Sequence, residues 1–166
     1  AQIELNFEDL PFEQWNKVGS TKIELMYKPS AQMTARPLRK IASGGEVSRV
    51  MLACKVVLGE SDVCDTLVFD EVDAGVGGAT AVALAEVLAQ LAKTHQVIVV
   101  THLPQVAVMA SKQYVVSKTE EHNALPITSL TEVSGTQREE EIARMLSGSI
   151  TEASLAHAHE LLSEVR

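Results

Sequence analysis

Residues 66–101 read TLVFDEVDAGVGGATAVALAEVLAQLAKTHQVIVVT, and their apolar pattern predicts the central architecture of the chain. Two short apolar runs, at residues 66–70 and 96–101, are typical of buried parallel strands. Residues 79–93 carry apolar side chains three and four positions apart, which predicts a helix with one apolar face. A strand, a helix and a second strand at this spacing predict a βαβ unit with parallel strands. We therefore expect an α/β fold built on a mostly parallel sheet with helices on it.

The flanking segments predict further helices and antiparallel strands. Residues 1–36 hold two leading strands and a loop, and residues 45–58 have an apolar stripe that indicates a helix. Alternating apolar residues at 114–119 and 127–133 predict a hairpin. Two helices are predicted to close the chain, near residues 138–146 and 151–165. The stripe at residues 45–58 comprises Val47, Val50, Met51, Cys54, Val57 and Leu58.

Composition and charge exclude several classes of protein. The 166 residues carry a net charge of −8, which argues against a broad basic surface for phosphate backbones. Any contact with DNA would then be made by a local patch or by another part of a larger protein. No apolar run is long enough to span a membrane, and the first residues do not form a signal peptide. Cys54 and Cys64 lack the spacing of metal ligands and are expected to be reduced thiols in the cytoplasm.

Two adjacent carboxylates, Asp70 and Glu71, follow the first predicted central strand. Ligands of α/β sheets bind at the carboxyl ends of the strands, so both acids would lie at a ligand-binding edge. Mg²⁺ prefers oxygen ligands and keeps several waters, so Asp70 is predicted to hold a magnesium ion through one of those waters. Glu71 would polarise a water that attacks a γ-phosphate. The alternative is a strand that simply ends in a solvated acidic turn.

A second motif, Ser43-Gly44-Gly45-Glu46, lies at the start of the predicted helix at residues 45–58. Ser43 and Glu46 fit a capping box, which would be purely structural. A capping box does not need two glycines, however, and Gly44 and Gly45 would let a large anion approach the amides of the helix N-terminus. Ser43 would then offer its hydroxyl to a phosphate oxygen. From these residues alone, both interpretations stay open.

A third polar position, His102, follows the second central strand. Its imidazole could hydrogen-bond a γ-phosphate or the attacking water, although a lone histidine after a strand is more often structural. The glycines at 75–78 raise the question of a dinucleotide-binding fold. That fold is not supported, because Thr80 stands where the third glycine or alanine should be and Thr101 where the ribose-binding acid should be.

In this order, the motifs resemble the second half of an ABC-type ATPase head. ASGGE at residues 42–46 resembles the signature motif, and TLVFDE at residues 66–71 resembles the Walker B strand with its catalytic glutamate. Asp73 begins a segment similar to the D-loop, and His102 resembles the switch histidine. Longer strings narrow the resemblance to the RecN family of SMC-like ATPases. These strings are LRKIASGGE at residues 38–46, FDEVDAGVGG at residues 69–78 and VTHLPQV at residues 100–106.

The resemblance implies a DNA-repair ATPase that uses ATP and Mg²⁺. Two heads would form a homodimer in which Asp70 and Glu71 act on the nucleotide of their own head and Ser43 and Gly45 on that of the partner. The implied catalytic residues are Glu71 and His102. The implied function is repair of DNA double-strand breaks in the bacterial cytoplasm, at the nucleoid. The implied nucleotide-binding residues are Ser43, Gly44, Gly45, Glu46, Asp70 and Asp73, with Asp70 also serving Mg²⁺ through water.

The sequence departs from a complete head in one respect, because it contains no G-x-x-x-x-G-K-[ST] phosphate loop. In the RecN family that loop lies in an N-terminal segment, beyond a long coiled coil. The chain therefore resembles an excised C-terminal lobe whose partner is the Walker A lobe of the same protein. Removal of that lobe is expected to leave apolar surface exposed. We divide the chain into leading strands and loop (1–36), a core that carries the motifs (37–148) and a C-terminal helix (149–166).

Two alternatives remain to be distinguished by structure. One is a non-catalytic interaction module that keeps the fold but binds no nucleotide. The other concerns Ser43, which should lie well away from Asp70, Glu71 and His102 if it serves the opposite head. An intrachain hydrolase would instead bring Ser43 within hydrogen-bond reach of Glu71 or His102.

Overall fold

The computed structural model describes residues 1–40, 43–59, 64–119 and 126–165 of the chain. Within these ranges the chain forms helices, one parallel strand pair and two antiparallel sheets, so the predicted α/β class is confirmed. Residues 41 and 42, which belong to the signature-like string, lie outside the described ranges. None of the described helices is long and apolar enough to cross a membrane.

The N-terminal part of the chain forms an antiparallel sheet. Strand β1 (Gln2–Asp9) pairs with strand β2 (Thr21–Lys28), which also pairs with the short strand β3 (Arg36–Pro37). The two predicted leading strands are therefore confirmed. Helix α1 (Gly44–Leu58) follows, with Ser43 as its N-cap residue.

The predicted βαβ unit is confirmed at the centre of the chain. Strand β4 (Thr66–Phe69) and strand β5 (Gln96–Val99) pair in parallel, and helix α2 (Gly78–Leu91) connects them. Val72, just after β4, has no exposed surface and belongs to the core that forms between β4 and α2. The other buried members of this core are Leu52, Leu67, Phe69, Leu84, Ala85, Leu88, Leu91 and Val106.

The remaining elements complete the chain in the predicted order. They are the short helix α3 (Pro104–Ala107), strands β6 (Gln113–Thr119) and β7 (Ile127–Val133), and helices α4 (Gly135–Ser147) and α5 (Glu152–Glu164). β6 and β7 form the expected antiparallel hairpin. Among the described residues, the parallel part of the fold consists of the β4–β5 pair, and the antiparallel sheets hold the other five strands.

A second core lies between α3, α4 and α5. Ile142, Ala143 and Ala158 in this core have no exposed surface. Arg138 on α4 donates hydrogen bonds of 2.7–3.1 Å to three carbonyl oxygens at and after the end of α3. Thr151 caps α5 in a reciprocal capping box with a serine three residues later. These contacts fix the two closing helices beside the end of the βαβ unit.

The apolar stripe predicted for α1 is mostly exposed. Only Val50 of that stripe is buried, and Val57 is 85% exposed. Apolar periodicity identifies a helix face that can be buried, but the described residues do not supply a surface that covers this one. The buried residues of α1 are Gly45, Val50 and Leu52.

One face of the parallel pair is also left open. Val68, Ile98 and Val100 are 66%, 46% and 57% exposed, although parallel sheets are normally covered on both faces. Apolar side chains of the β1–β2 sheet are exposed as well, among them Ile3, Leu5, Phe7, Ile23 and Leu25. The expected exposure of apolar surface is therefore confirmed for this chain.

Candidate functional site

The site is built on the carboxyl ends of β4 and β5. Phe69 lies opposite Val99, and the carbonyl oxygen of Phe69 accepts a hydrogen bond of 2.9 Å from the amide of Val100. This register brings the segment after β4, which begins with Asp70, next to the segment that holds His102. The carboxyl ends of the two strands therefore lie side by side.

Glu71 has an unusual backbone conformation. Its φ of 55° is the only positive φ at a non-glycine residue in the described part of the chain. Such conformations cost free energy for residues with a Cβ and occur often at functional sites. The turn that follows is closed by hydrogen bonds of 3.0 Å from the amide of Ala74 to the carbonyl oxygen of Glu71 and from the amide of Val76 to that of Asp73. Sequence alone gave no signal for this strained conformation.

The first turn of α1 packs directly against Glu71. A Cβ built on Gly44 would lie 2.5 Å from Oε2 of Glu71, so the carboxylate occupies the space that the glycine leaves. The Ser43 hydroxyl accepts a hydrogen bond of 3.2 Å from the amide of Glu46, as in the predicted cap. Among the described residues, Ser43 makes no hydrogen bond with Glu71 or His102.

Because Gly44 packs against Glu71, the expectation that the helix begins well away from this acid is wrong, whereas the expectation that Ser43 lies outside hydrogen-bond reach of Glu71 and His102 is not contradicted. Helix α1 has 15 residues and is roughly 22 Å long. Strand β4 then covers about 13 Å in the opposite direction, towards the start of the helix. The helix and the strand run in opposite senses, so the start of one meets the end of the other. An intrachain nucleophile is nonetheless not supported, because the Ser43 hydroxyl is used as a helix cap.

Gly45 is buried in the same contact. A Cβ on Gly45 would lie 2.8 Å from both the Cβ of Ala74 and the carbonyl oxygen of Glu71. Gly45 is therefore required by packing within the chain, whereas a side chain at Gly44 would meet only the flexible end of Glu71. The presence of Gly45 is explained without an anion, and the exposed Ser43–Gly44 edge can still receive one.

Alanine substitutions at Gly44 and Gly45 should differ in their effect on the free energy of unfolding. Gly45→Ala would push backbone and Cβ atoms apart, so we expect it to lower the free energy of unfolding by about 1–3 kcal/mol. Gly44→Ala meets only the end of a flexible side chain, so we expect a change within about 0.5 kcal/mol and a displaced Glu71 carboxylate. Urea denaturation of the two variants measures the difference. Equal stability of both variants would contradict the close packing of Gly45 on the turn.

Two residues that sequence reasoning missed fasten α1 to the turn. The Ser48 hydroxyl donates a hydrogen bond of 2.7 Å to the carbonyl oxygen of Asp70. Nη1 of Arg49 donates to the carbonyl oxygens of Val72 at 3.1 Å and Ala74 at 2.9 Å. Ser48 and Arg49 each lie four residues after a glycine of the motif, and thus on the same helix face. That spacing is the signal that could have identified them.

Asp73 is buried and joins the two strand ends. It is 2% exposed, and its Oδ2 accepts hydrogen bonds from the Thr101 hydroxyl at 2.5 Å and from the His102 amide at 3.0 Å. Nδ1 of His102 lies 3.1 Å from the same oxygen, while the His102 side chain is 68% exposed. Asp73 was predicted to contact nucleotide, but in this chain its carboxylate contacts Thr101 and His102. Thr101, considered above only as a failed dinucleotide position, is part of this network.

Asp70 fits a magnesium site to which the protein contributes only one or two carboxylates. Within the described ranges, no group of three or more His, Cys, Asp or Glu side chains is arranged to hold a metal ion. Asp70 is exposed at the carboxyl end of β4, where it can offer one carboxylate. Mg²⁺ is commonly held by one or two carboxylates together with waters and phosphates. The residues present therefore fit an ion whose other ligands come from nucleotide and water.

Comparison with known proteins gives consistent relatives. No protein-family profile matches the chain. DNA repair protein RecN of Streptomyces coelicolor is 47% identical over 149 residues, which cover 89% of this chain and 26% of that protein. DNA repair protein RecN of Deinococcus radiodurans is 48% identical over 145 residues, which cover 87% of this chain and 25% of that protein. The chain thus spans about a quarter of the length of the curated relatives it matches.

Solved structures with a similar fold are heads of SMC proteins. The Smc head domain with a coiled coil and joint from Pyrococcus yayanosii aligns with 98% of this chain and 26% of that one, at a TM-score of 0.53 and 18% identity. The Smc head domain with an extended coiled coil from Pyrococcus furiosus aligns with 99% of this chain and 33% of that one, at a TM-score of 0.52 and 19% identity. At this level of identity, the similarity concerns the fold.

Proposed function

We propose, from the premise that this chain is a RecN-like segment with the fold of an SMC-type ATPase head, that it forms the C-terminal lobe of an ATP-hydrolysing head. In the parent protein the lobe works with ATP and Mg²⁺, and two heads form a homodimer when ATP binds. The parent acts in repair of DNA double-strand breaks in the bacterial cytoplasm. With a net charge of −8, this segment leaves DNA contact to other parts of the parent.

One observation supports this proposal above the others. Residues 43–46, 70–73 and 101–102 are distant in sequence, yet α1 packs its first turn on Glu71 while Asp73 contacts Thr101 and His102. Each of these segments carries one of the motifs of an ATPase head. A module that only binds other proteins has no need for a strained glutamate at the centre of the cluster.

Each residue has a distinct role in the proposed reaction. Asp70 would hold a Mg²⁺ ion through one of its waters, and the ion would supply positive charge at the phosphate oxygens. Glu71 polarises the attacking water, and His102 contacts that water or the γ-phosphate. Ser43, with the amides at the start of α1, binds a phosphate held by the second head. Hydrolysis then releases the dimer, because the phosphate that joins the heads is lost.

The exposed apolar surface fits a covering lobe of the same protein. The open face of β4–β5 and the stripe of α1 each carry several exposed apolar side chains, which is typical of a surface that binds a partner. A lobe that carries the phosphate loop would bury this surface and would hold the β- and γ-phosphates near Asp70 and Glu71. The proposal therefore assigns two partners, the Walker A lobe and a second head.

The isolated chain should not hydrolyse ATP, because it has no phosphate-loop lysine or amide cradle for the phosphates. Addition of the Walker A lobe, or use of the complete protein, should give turnover that depends on Mg²⁺. Phosphate release from the three samples measures this directly. Sustained turnover by the isolated chain that Glu71→Gln abolishes would contradict the two-lobe proposal.

The role in repair needs a separate test. A bacterial strain that lacks the complete protein should survive double-strand breaks poorly, and the wild-type gene should restore survival. A gene with Glu71→Gln should restore it weakly. Equal restoration by both genes would favour the alternative function, a non-catalytic interaction module. The observation that favours this alternative is the exposed apolar surface of the chain, which could bind another protein.

A further inference from the structure

The backbone on both sides of Glu71 is held by two consecutive residues of α1. The Ser48 hydroxyl donates a hydrogen bond of 2.7 Å to the carbonyl oxygen of Asp70, the residue before the glutamate. Nη1 of Arg49 donates a hydrogen bond of 3.1 Å to the carbonyl oxygen of Val72, the residue after it. The peptide groups that flank Glu71 are therefore both fastened to the same helix.

Arg49 also holds the far end of the turn that begins at Glu71. The same Nη1 donates a hydrogen bond of 2.9 Å to the carbonyl oxygen of Ala74, whose amide in turn donates to the carbonyl oxygen of Glu71 at 3.0 Å. A guanidinium nitrogen of this kind carries two N–H bonds, so one atom can serve both carbonyl oxygens. Gly45 leaves room for it, because a Cβ on Gly45 would lie 3.1 Å from Nη1. The guanidinium therefore holds the whole turn against α1.

These hydrogen bonds explain how Glu71 keeps its φ of 55°. A positive φ costs free energy at a residue with a Cβ and persists only where the surrounding contacts determine it. Rotation of Glu71 to a negative φ would turn its two flanking carbonyl groups relative to each other, so at least one of them would lose its donor on α1. The same φ sets the direction of the Cα–Cβ bond, and hence the positions that the carboxylate can reach.

We propose that Ser48 and Arg49 are positioning residues for Glu71, which hold its backbone at positive φ and thereby set where its carboxylate meets the attacking water. Helix α1 is already attached to the core by Leu52, so these polar contacts do more than dock the helix. The inference rests on the proposed function for the role of Glu71 in hydrolysis. Its structural basis, three hydrogen bonds to the carbonyl oxygens around one strained residue, does not depend on that function.

NMR of the 166-residue chain tests the structural part without any need for hydrolysis. Scalar couplings of the Glu71 backbone report its φ, which should be positive in the wild type and in the control Lys93→Met, an exposed position after α2. In the double variant Ser48→Ala, Arg49→Met the couplings should change to those of a negative φ. Each single variant should move them part of the way, so the test does not depend on folding of the double variant. A positive φ that persists in all three variants would overturn the inference.

Steady-state kinetics of the complete protein test the positioning role. We expect Arg49→Met to lower kcat on the order of 10- to 10²-fold with little change in KM for ATP, because a misplaced carboxylate slows the reaction while the Walker A lobe still holds the nucleotide. Lys93→Met should keep the wild-type kcat.

A double variant separates positioning from a general loss of structure. Added to Glu71→Gln, Arg49→Met should cause little further loss of kcat, because the carboxylate that Arg49 positions is already absent. Fully additive losses, or a wild-type kcat in Arg49→Met, would overturn the inference. Absence of ATP turnover in the complete wild-type protein would instead contradict the proposed function, and the NMR couplings would still decide whether Ser48 and Arg49 hold the backbone of Glu71.

Discussion

Glu71→Gln in the complete protein is expected to lower the rate of ATP hydrolysis about 10²- to 10⁴-fold while ATP binding stays close to wild type. Glutamine has the size and shape of glutamate but lacks the carboxylate that polarises the attacking water. The positive φ of Glu71 and its packing on Gly44 make no demand that glutamine cannot meet. Phosphate release and equilibrium binding of labelled ATP measure the two quantities separately.

The same substitution should also trap the dimer. If hydrolysis releases the two heads, a head that binds ATP without hydrolysing it should remain paired, and light scattering should show a larger species only with ATP and Mg²⁺. Glu86→Gln, on the exposed face of α2, is a control that removes the same charge away from the site. A Glu71→Gln protein that hydrolyses ATP at the wild-type rate would show that another group polarises the water.

Much of the fold could be predicted because its elements have strong local patterns. Two apolar runs, separated by a helix with three-four periodicity, predicted β4, α2 and β5 with small errors at their ends. Thr151 and Gly148 carried the ordinary chemistry of helix ends, a capping hydroxyl and a glycine with a φ of 76°. Local sequence determines such features, so they need no knowledge of tertiary contacts.

The position of α1 could not be predicted in the same way. Its apolar stripe and its cap were readable, but the sequence does not state which neighbour covers the stripe or where the helix begins relative to Glu71. Ser43 was expected far from Glu71 because the return of the chain along β4 was taken to be too short to bring Glu71 back to the start of the helix. Tertiary geometry, which brings Gly44 against the carboxylate, reversed that prediction.

In the candidate site, too, some features could be predicted from the sequence and others could not. The motif residues were identified from sequence, and their strand ends meet as predicted. The residues that connect the motifs, Ser48, Arg49 and Thr101, were missed because each acts through a contact with residues 22 or more positions away. Thr101 leaves no periodic signal, whereas Ser48 and Arg49 could have been identified only by their four-residue spacing from Gly44 and Gly45. Asp73 was found for its place in a motif, and the structure gives it a partner that sequence could not supply.

The second core provides the largest expected effect on stability. Ile142 on α4 has no exposed surface and packs with residues of α3 and α5. Ile142→Ala would remove three carbon atoms and leave a cavity, so we expect a loss of about 2–5 kcal/mol in the free energy of unfolding. Since small domains are stable by only about 5–15 kcal/mol, this loss should visibly shift thermal and urea unfolding.

Ile150→Ala is the matched control, because Ile150 lies between α4 and α5 and is 52% exposed. We expect it to change the free energy of unfolding by less than about 1 kcal/mol, as is usual for exposed positions. The same urea titrations, followed by circular dichroism, compare both variants with the wild type. Similar losses in the two variants would show that burial in the second core does not set the contribution of Ile142. A loss of stability found only in Ile142→Ala would mean that this apolar contact is the main one that holds α4 and α5 to the βαβ unit. The hydrogen bonds of Arg138 to the end of α3 would then orient the two helices.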